Sequence, residues 1–259
     1  MTPPVGTQAV IQARMGSSRL PGKVLLPLAG RPVLSHVVER TAAAARIDRV
    51  VVATTELPEE QPIVDWCRDN GILCGRGPVE DVLARFLKIV QEYPCERVVR
   101  ITADCPLIDP GCIDAVVAAH LEGKNEYTTN VSPPTLPCGL DTEVVDRDVL
   151  ERVGGLATLS SHREHVTLYL RENRKHFRVG NVTFGRDRTQ YRFALDRPED
   201  YRFLQALWEQ IPVAVRLPSV YEVFRILEAH PDIAALNSTL DRYEGVRRSA
   251  AREERDLNL

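Results

Sequence analysis

A short segment near the start of the chain combines three cationic side chains with two glycines. The cations are Arg14, Arg19 and Lys23, and the glycines are Gly16 and Gly22. Glycine lets backbone N–H groups approach an anion closely, and arginine and lysine donate charge-assisted hydrogen bonds to phosphate oxygens. The segment is therefore expected to bind a triphosphate or a similar anion. Taken alone, the same composition also fits a solvent-exposed basic turn.

Two familiar phosphate-binding motifs are missing from this segment. It contains neither G-x-x-x-x-G-K-[ST] nor G-x-G-x-x-G. Each of those patterns places glycines so that backbone amides surround a phosphate group. The sequence therefore indicates neither a P-loop ATPase nor a dinucleotide site of the Rossmann type.

Two aspartates directly follow apolar segments that read as strands. Asp104 comes after the segment 97–102, and Asp196 comes after the segment 191–195. Ligands of open α/β sheets bind beyond the carboxyl ends of the strands, so both carboxylates are expected at the same edge. One or two carboxylates, together with substrate phosphates and water, are enough to hold Mg²⁺. The pair is therefore a candidate magnesium site.

Both aspartates also have structural interpretations. Asp196 precedes Pro198 and Glu199, a pattern typical of a helix N-cap. Asp104 lies two residues before Pro106 and fits a turn. The local sequence leaves these alternatives open.

The elements that must position these residues alternate between strand and helix patterns. This alternation predicts an α/β fold with helices on both faces of a sheet. Strands are predicted at 7–12, 49–53, 97–102, 127–130, 141–145, 177–182 and 191–195. Helices are predicted at 32–45, 59–70, 79–92, from 109, at 161–173 with Ser161 and Glu164 as a capping box, at 198–210 and at 220–229.

Length and composition limit the classes of protein to which this chain can belong. With 259 residues, of which 44% are hydrophobic, we expect one domain over 1–245 and a charged tail over 246–259. The net charge of −3 gives no general attraction to nucleic acid or to anionic membranes. We see no signal peptide, membrane-length apolar stretch or C-x-x-C pair, which predicts a cytoplasmic protein with reduced thiols.

At residue level, the chain resembles a known enzyme family. The segment 11–23 resembles the nucleotide-binding signature of the cytidylyltransferases that activate sugar acids such as KDO and sialic acid, and is closest to the SpsF-like branch. Cys138 departs from that branch, in which a charged residue often precedes the Gly-Leu-Asp motif. Further matches follow in family order over about 10–240, at 76–77 with 81–85, 100–108, 139–144, 163–167 and 195–200.

The resemblance implies a fold, a reaction and a nucleotide site. It implies the nucleotide-diphosphosugar transferase fold (GT-A, Rossmann-like), with a mixed, mainly parallel sheet flanked by helices. It implies transfer of CMP from CTP with release of pyrophosphate, with Arg14, Lys23, Asp104 and Asp196 as catalytic residues and Mg²⁺ on the two aspartates. The implied nucleotide-binding residues are Ala13, Arg14, Gly16, Ser17, Arg19, Lys23, Arg76, Asp81, Arg85, Arg100, Thr102 and Ala103.

The acceptor is expected to be a small anionic sugar, sugar acid, or phosphorylated or carboxylated compound. Its candidate contacts are Gly139, Asp141, Glu143, His162, Arg163, His165 and Arg192, within an elaboration at about 126–195 that also serves dimerisation. The resemblance implies a homodimer.

Several of these residues also have ordinary structural interpretations. Asp81 and Arg85 fit a plain amphipathic helix, whereas His162 and Arg163 fit a solvated turn and His165 fits a core position. A general base is not assigned. His165 or Asp141 fits that role, and a carboxylate or phosphate acceptor needs no base.

Two other functions remain as alternatives. The first is glycosyl transfer from a nucleotide sugar on the same fold, which usually needs an Asp-x-Asp pair at a strand end. We expect this chain to lack such a pair. The second is a catalytically inactive, nucleotide-binding regulatory protein.

Overall fold

The computed structural model describes residues 4–240, 244 and 247. Of the predicted tail at 246–259, all but Arg247 lie outside the described residues, and Arg247 is helical and exposed. The extent of the single domain over 1–245 stays a prediction. Within the described part of the chain, no helix has the length and apolar character needed to cross a membrane.

Strands and helices alternate through most of the chain. The strands are β1 Val5–Gln12, β2 Pro27–Leu28, β3 Arg31–Pro32, β4 Arg49–Thr55, β5 Leu73–Gly77, β6 Cys95–Thr102, β7 Tyr127–Thr129, β8 Glu143–Asp146 and β9 Val179–Asn181. The helices are α1 Val33–Ala42, α2 Gln61–Asp69, α3 Val82–Glu92, α4 Pro110–Glu122, α5 Arg147–Leu156, α6 Ser160–Glu164, α7 Leu168–Glu172, α8 Pro198–Gln210, α9 Val220–Ala229 and α10 Pro231–Ala235.

The described residues form one large sheet and a two-stranded hairpin. The large sheet has seven strands in the order β5-β4-β1-β6-β8-β7-β9, and β2 pairs with β3. Strands β5, β4, β1 and β6 are parallel, β8 is antiparallel to both β6 and β7, and β9 is parallel to β7. The predicted mixed, mainly parallel sheet flanked by helices is confirmed.

Both faces of the sheet are covered, as the apolar strands require. Because side chains alternate along a strand, Ile11 of β1 packs on one side with residues of α1, α2 and α4. Val10 packs on the other side with residues of α3 and α5. The site is therefore restricted to the sheet edge, where the loops leave the strands.

A third apolar cluster anchors the part of the chain that leads to Asp196. Phe193 and Leu195 are fully buried and pack against residues of α8 and α9. Phe193 stacks on Phe203 with a distance of 6.0 Å between ring centroids. The position of Asp196 thus depends on packing outside the main sheet.

The predicted strand at 191–195 is wrong. The segment is extended, but its backbone bonds go to two different partners. Phe193 N donates to Cys138 O at 2.7 Å, and Leu195 N donates to Asp104 O at 2.8 Å. Only an isolated bridge between Cys138 and Arg192 results, because no single neighbouring strand runs alongside the segment.

The predicted helix at 161–173 is also wrong, because it is divided into α6 and α7. The chain turns at Val166, which has a left-handed φ of +55°. Leu159 is the N-cap residue of α6 and makes no side-chain cap, so the predicted capping box of Ser161 and Glu164 does not form. Strand β5 and helix α5 were not predicted.

Candidate active site

The phosphate-binding segment forms a tight loop directly after β1. Met15 O accepts hydrogen bonds from Ser17 N and from Gly22 N, both at 2.9 Å. Gly22 has a φ of +67°, a conformation that glycine adopts without steric cost. These contacts hold the basic loop closed against the edge of the sheet.

Lys23 joins the two predicted metal ligands. Its Nζ donates to Asp104 Oδ2 at 2.5 Å and to Asp196 Oδ1 at 2.6 Å. The two carboxylate oxygens are therefore within about 5 Å of each other. Arg19 Nη2 lies 3.2 Å from the same oxygen of Asp196. The sequence places these residues far apart, and the fold brings them together.

Two contacts outside the sheet fix the position of Asp196. The bond from Leu195 N to Asp104 O brings the backbone of Asp196 next to the end of β6. Arg192 then donates through Nη2 to Asp196 Oδ2 at 2.7 Å and through Nε to Asp200 at 3.0 Å. Arg192 therefore orients the carboxylate and does not line the pocket.

The alternative role of Asp196 as a helix cap is wrong. The N-cap residue of α8 is Arg197, and Asp200 completes the capping box. Asp200 Oδ2 accepts from Asp196 N at 2.9 Å and from Arg197 N at 3.0 Å. The side chain of Asp196 is thus available to the site.

The electrostatics of this cluster favour the ionised forms. Burial by itself would lower the pKa of Lys23, but Asp104 and Asp196 outweigh that effect and raise it. Burial would likewise raise the pKa of Asp196, but Lys23, then Arg192 and Arg19, hold it well below its usual range. Lysine has three N–H donors, so Lys23 has the capacity to contact both carboxylates and a phosphate oxygen.

A pocket of about 200 Å³ opens beside this cluster. Asp104 and Asp196 line it together with His165, which was predicted to contact the acceptor. Of the predicted nucleotide-binding residues, eight line it: Ala13, Arg14, Ser17, Arg19, Lys23, Arg85, Thr102 and Ala103. The lining also includes residues that were not predicted individually as site residues but neighbour predicted ones along the chain: Gln12, Ser18, Val24, Val79, Glu80, Val82 and Glu164.

Arg85 shapes one wall of the pocket. It is 2% exposed and donates to Pro78 O and Val79 O at 2.7 and 2.9 Å. Burial, followed by the nearby charge of Arg14, lowers the pKa of Arg85 to about 10. Arg85 therefore fixes the segment 78–80 and also brings positive charge to the pocket.

Four predicted nucleotide-binding residues lie outside the pocket lining. Arg76 donates to Thr55 O at 2.9 Å and to Leu57 O at 2.7 Å, so it braces the end of β4. Asp81 accepts from Ala84 N at 2.8 Å as the N-cap of α3, and its other carboxylate oxygen pairs with Arg163. Both side chains therefore support the fold and do not line the pocket, which differs from the predicted role.

The remaining two also have positions that differ from the prediction. A side chain at Gly16 would meet open space, so no close backbone approach to another group of the protein requires glycine there. Arg100 donates to Gln12 Oε1 at 3.1 Å and to Glu143 Oε2 at 2.5 Å. Arg100 acts on the pocket through Gln12, which lines it.

Glu143 belongs to a buried polar network and does not line the pocket. It is 3% exposed and accepts from Arg100, Tyr127 and, at 2.7 Å, Thr167 Oγ1. Burial would raise its pKa, but Arg100 and Arg171 outweigh burial and lower it to about 2. Because its oxygens are engaged inside the protein, its predicted acceptor role is corrected to a structural one.

Three more of the predicted acceptor residues have contacts within the fold. His162 is buried, with Nε2 2.7 Å from Glu172, so neither a pocket contact nor a solvated turn describes it. Arg163 pairs with Asp81 at 2.5 Å and donates to two backbone carbonyls. Gly139 has a φ of +103° and packs on the backbone of residues 193–194. Asp141, like these, lies outside the pocket lining.

The expectation that the chain lacks an Asp-x-Asp pair at a strand end is wrong. Asp146, Arg147 and Asp148 form one at the end of β8. Because β8 is antiparallel to β6, Asp146 lies opposite Arg97, at the start of β6. It also lies 3.0 Å from His120. The pair therefore lies at the end of the strands opposite to the end that carries the pocket.

Asp104 and Asp196 fit a shared magnesium site. Within the described ranges, no group of three or more His, Cys, Asp and Glu side chains forms a metal site by itself. Mg²⁺ does not need such a group when a substrate phosphate supplies the other oxygens. Two carboxylates that converge beside a phosphate-binding loop are a donor set suited to that ion.

The chain is similar to several known proteins. A family model described as "Cytidylyltransferase" matches residues 8–228. The "Spore coat polysaccharide biosynthesis protein SpsF" of Bacillus subtilis (strain 168) is 35% identical over 234 residues, covering 87% of this chain and 95% of that protein.

Solved structures share its fold. A cytidylyltransferase from Leptospira borgpetersenii serovar Hardjo-bovis (strain JB197) matches with a TM-score of 0.84 and 30% identity, over 92% of this chain and 98% of that chain. A CMP:2-keto-3-deoxy-manno-octonic acid synthetase complexed with CTP matches with a TM-score of 0.61 and 20% identity, over 79% of this chain and 99% of that chain.

Proposed function

Because this chain belongs to the cytidylyltransferase family, we propose that it transfers CMP from CTP to a small anionic acceptor in a Mg²⁺-dependent reaction that releases pyrophosphate. The resemblance identified in the sequence is confirmed, and the chain is an enzyme of the nucleotidyltransferase class. We propose the class of acceptor, the metal ion, the release of pyrophosphate and the roles of single residues.

One observation supports this proposal above the others. Lys23 of the basic loop contacts both Asp104 and Asp196, and all three line one pocket. A nucleoside triphosphate needs cationic donors for its phosphates and, for reaction, a cation held near them. The structural neighbour complexed with CTP has the same fold, which agrees with a nucleotide in this crevice.

Asp104 and Asp196 would hold Mg²⁺. When bound there, the ion would draw negative charge from the α-phosphate and help to orient the reactants. Lys23 and then Arg192 hold the pKa of Asp196 well below its usual range, so its carboxylate would be available to the ion at physiological pH. The protein thus prepares the site before the ligand arrives.

The cations of the loop would bind the phosphates. In the proposed in-line displacement, an acceptor oxygen forms a bond to the α-phosphorus while the bond from that phosphorus to the bridging oxygen of pyrophosphate breaks. Arg14, Arg19 and Lys23 would donate to the β- and γ-phosphates, whose charge grows as pyrophosphate leaves. No covalent enzyme intermediate is needed.

The nucleoside would lie toward the wall formed by Arg85 and the end of β6. Ala13, Thr102 and Ala103 line that part of the pocket, together with the segment 79–80 held by Arg85. The acceptor would approach from the side of His165 and Glu164. Burial, then the charge of Arg100, lowers the pKa of His165, so its imidazole is neutral at pH 7 and can accept a proton.

We also propose the setting in which the enzyme works. The activated product would enter polysaccharide biosynthesis, the process named for the Bacillus relative. The enzyme would act in the cytoplasm, where CTP is available, and as a homodimer. Light scattering of the purified protein tests the dimer directly.

The decisive experiment follows pyrophosphate. The purified protein is incubated with CTP, Mg²⁺ and a panel of sugar acids and small phosphorylated or carboxylated compounds, with and without a chelator. We expect pyrophosphate and a CMP-linked product with at least one acceptor, and neither product with the chelator. A glycosyltransferase would release no pyrophosphate. CTP binding that is unaffected by Mg²⁺, with no turnover, would instead favour a regulatory protein.

A further inference from the structure

A buried carboxylate lies directly beneath the phosphate-binding loop. Glu60 ends the short 3₁₀ turn Pro58–Glu60 after β4 and is 2% exposed. Its Oε2 accepts from Met15 N and from Thr54 Oγ1, both at 2.9 Å. Glu60 does not line the pocket, and none of the proposed chemistry uses it.

The contact with Met15 fixes the base of the loop. The carbonyl of Met15 already closes the loop by accepting from Ser17 and Gly22. Glu60 binds the N–H of the same residue from the other side, across 45 residues of sequence. The backbone N–H and the carbonyl of Met15 are therefore both held by hydrogen bonds. Arg14, the residue before Met15, lines the pocket.

Glu60 also carries the charge that this part of the pocket needs. Arg14 and Arg85 both line the pocket, and their like charges oppose each other. Arg14 lowers the pKa of Arg85, whereas Glu60 is close enough to raise it. A carboxylate buried in this position stabilises the charge of Arg85 against the like charge of Arg14 before a ligand binds.

We propose that Glu60 is a positioning residue: it holds Met15 and stabilises the charge of Arg85 beside Arg14, so that the loop is preformed for the β- and γ-phosphates of the nucleotide. This inference rests on the proposed function, because it assumes that the loop binds a triphosphate. Glu60 orders the loop and raises its affinity for the triphosphate, but it does not contact the reacting atoms.

The test compares Glu60→Ala and Glu60→Gln with Glu59→Gln. Glu59 is the exposed neighbour in the same turn, so its variant is the matched control. Affinities for CTP and for CMP, which lacks the β- and γ-phosphates, are measured by calorimetry without an acceptor. We expect Glu60→Ala to weaken CTP binding about tenfold and CMP binding less than about twofold, as for loss of one charge-assisted contact.

Glu60→Gln keeps an oxygen that can accept from Met15 N, so it is expected to recover part of the CTP affinity. The proposal is overturned if Glu60→Ala binds CTP as tightly as Glu59→Gln does, or if CTP and CMP binding weaken equally. Should Glu60→Ala fail to fold, Glu60→Gln is used instead: it lacks the charge that acts on Arg85, so CTP binding as tight as that of Glu59→Gln, or an equal loss of CTP and CMP binding, would overturn the proposal.

Amide exchange separates this inference from the proposed function. In the nucleotide-free protein, Glu60→Ala is expected to speed exchange of the Met15 amide at least about tenfold relative to Glu59→Gln, because the N–H loses its acceptor. If the unsubstituted protein binds no CTP but the exchange result holds, the proposed function fails while the loop role of Glu60 stands. Unchanged exchange at Met15 would overturn the positioning role itself.

Discussion

Lys23 Nζ lies 2.6 Å from Asp196 Oδ1, although 173 residues separate the two in sequence. The contact joins the loop after β1 to the segment before α8, in which Leu195 is buried among residues of α8 and α9. It follows that changes in either part alter the geometry of the same pocket. The proposed phosphate and metal ligands therefore form one coupled unit.

The first prediction concerns the lysine itself. Lys23→Met removes the ammonium that neutralises Asp104 and Asp196, and it also removes a donor for the leaving phosphates. We expect kcat/KM for CTP to fall by about 10²–10³, the range measured for loss of one preorganised donor elsewhere. Lys88→Met is the control, because Lys88 is an exposed lysine paired with Glu56 on the surface. Equal activity of the two variants would rule out the proposed role.

The second prediction concerns the carboxylates. Asp104→Asn and Asp196→Asn each keep side-chain size but remove one charged oxygen ligand, so we expect turnover to fall by about 10²–10³ at fixed Mg²⁺. Part of the loss should be recovered at higher Mg²⁺, which a titration of initial rate against metal concentration measures. Asp69→Asn, at an exposed position on α2, serves as the control. A magnesium dependence identical to that of the control would contradict the assignment.

The third prediction concerns acid stability. The pKa of Glu143 is about 2 in the folded protein, against an ordinary value of 4.5, so its ionised form favours folding. Because the folded pKa is depressed, this contribution is complete above pH 4.5 and is lost as the pH falls toward 2. The difference in unfolding free energy between the parent and Glu143→Gln should therefore shrink by about 2 kcal/mol between pH 5 and pH 3. Urea unfolding at several pH values measures it, and a constant difference would contradict the prediction.

The sequence was informative where a residue's role is set by its own segment. Arg14, Ser17, Arg19 and Lys23 lie in one loop, and the strand before it contains the apolar run 9–11, so the loop and its end of the sheet were predictable. The N-cap of α4 at Asp109, followed by Pro110, was equally local. Such features need no knowledge of the tertiary structure.

It was less informative where long-range contacts decide the role of a charged side chain. Arg76 and Arg100 match family positions, but one binds backbone carbonyls at the end of β4 and the other a buried glutamate. Strand β5 was missed because its sequence contains two glycines, and a side chain at Gly75 would lie 2.1 Å from Ile89 of α3. This close packing of β5 on α3 depends on the tertiary structure, so no local pattern reveals it.

The last prediction uses the same reasoning at Gly139. A Cβ atom there would lie 2.6 Å from the backbone at Ala194 N and Phe193 C, and the φ of +103° is strained for any other residue. We expect Gly139→Ala to lower the free energy of unfolding by more than about 2 kcal/mol. Gly155→Ala is the control, since a Cβ at this α5 position meets open space and should leave stability unchanged or raise it by up to about 1 kcal/mol.

Denaturant unfolding of both variants at pH 7 measures these changes. Because Gly139 holds the segment that leads through Phe193 to Asp196, Gly139→Ala should also weaken magnesium-dependent turnover, whereas Gly155→Ala should not. If Gly139→Ala were as stable as the parent but lost affinity for the acceptor alone, Gly139 would be an acceptor contact, as the sequence suggested. Loss of stability together with turnover would instead assign it to the packing that positions Asp196.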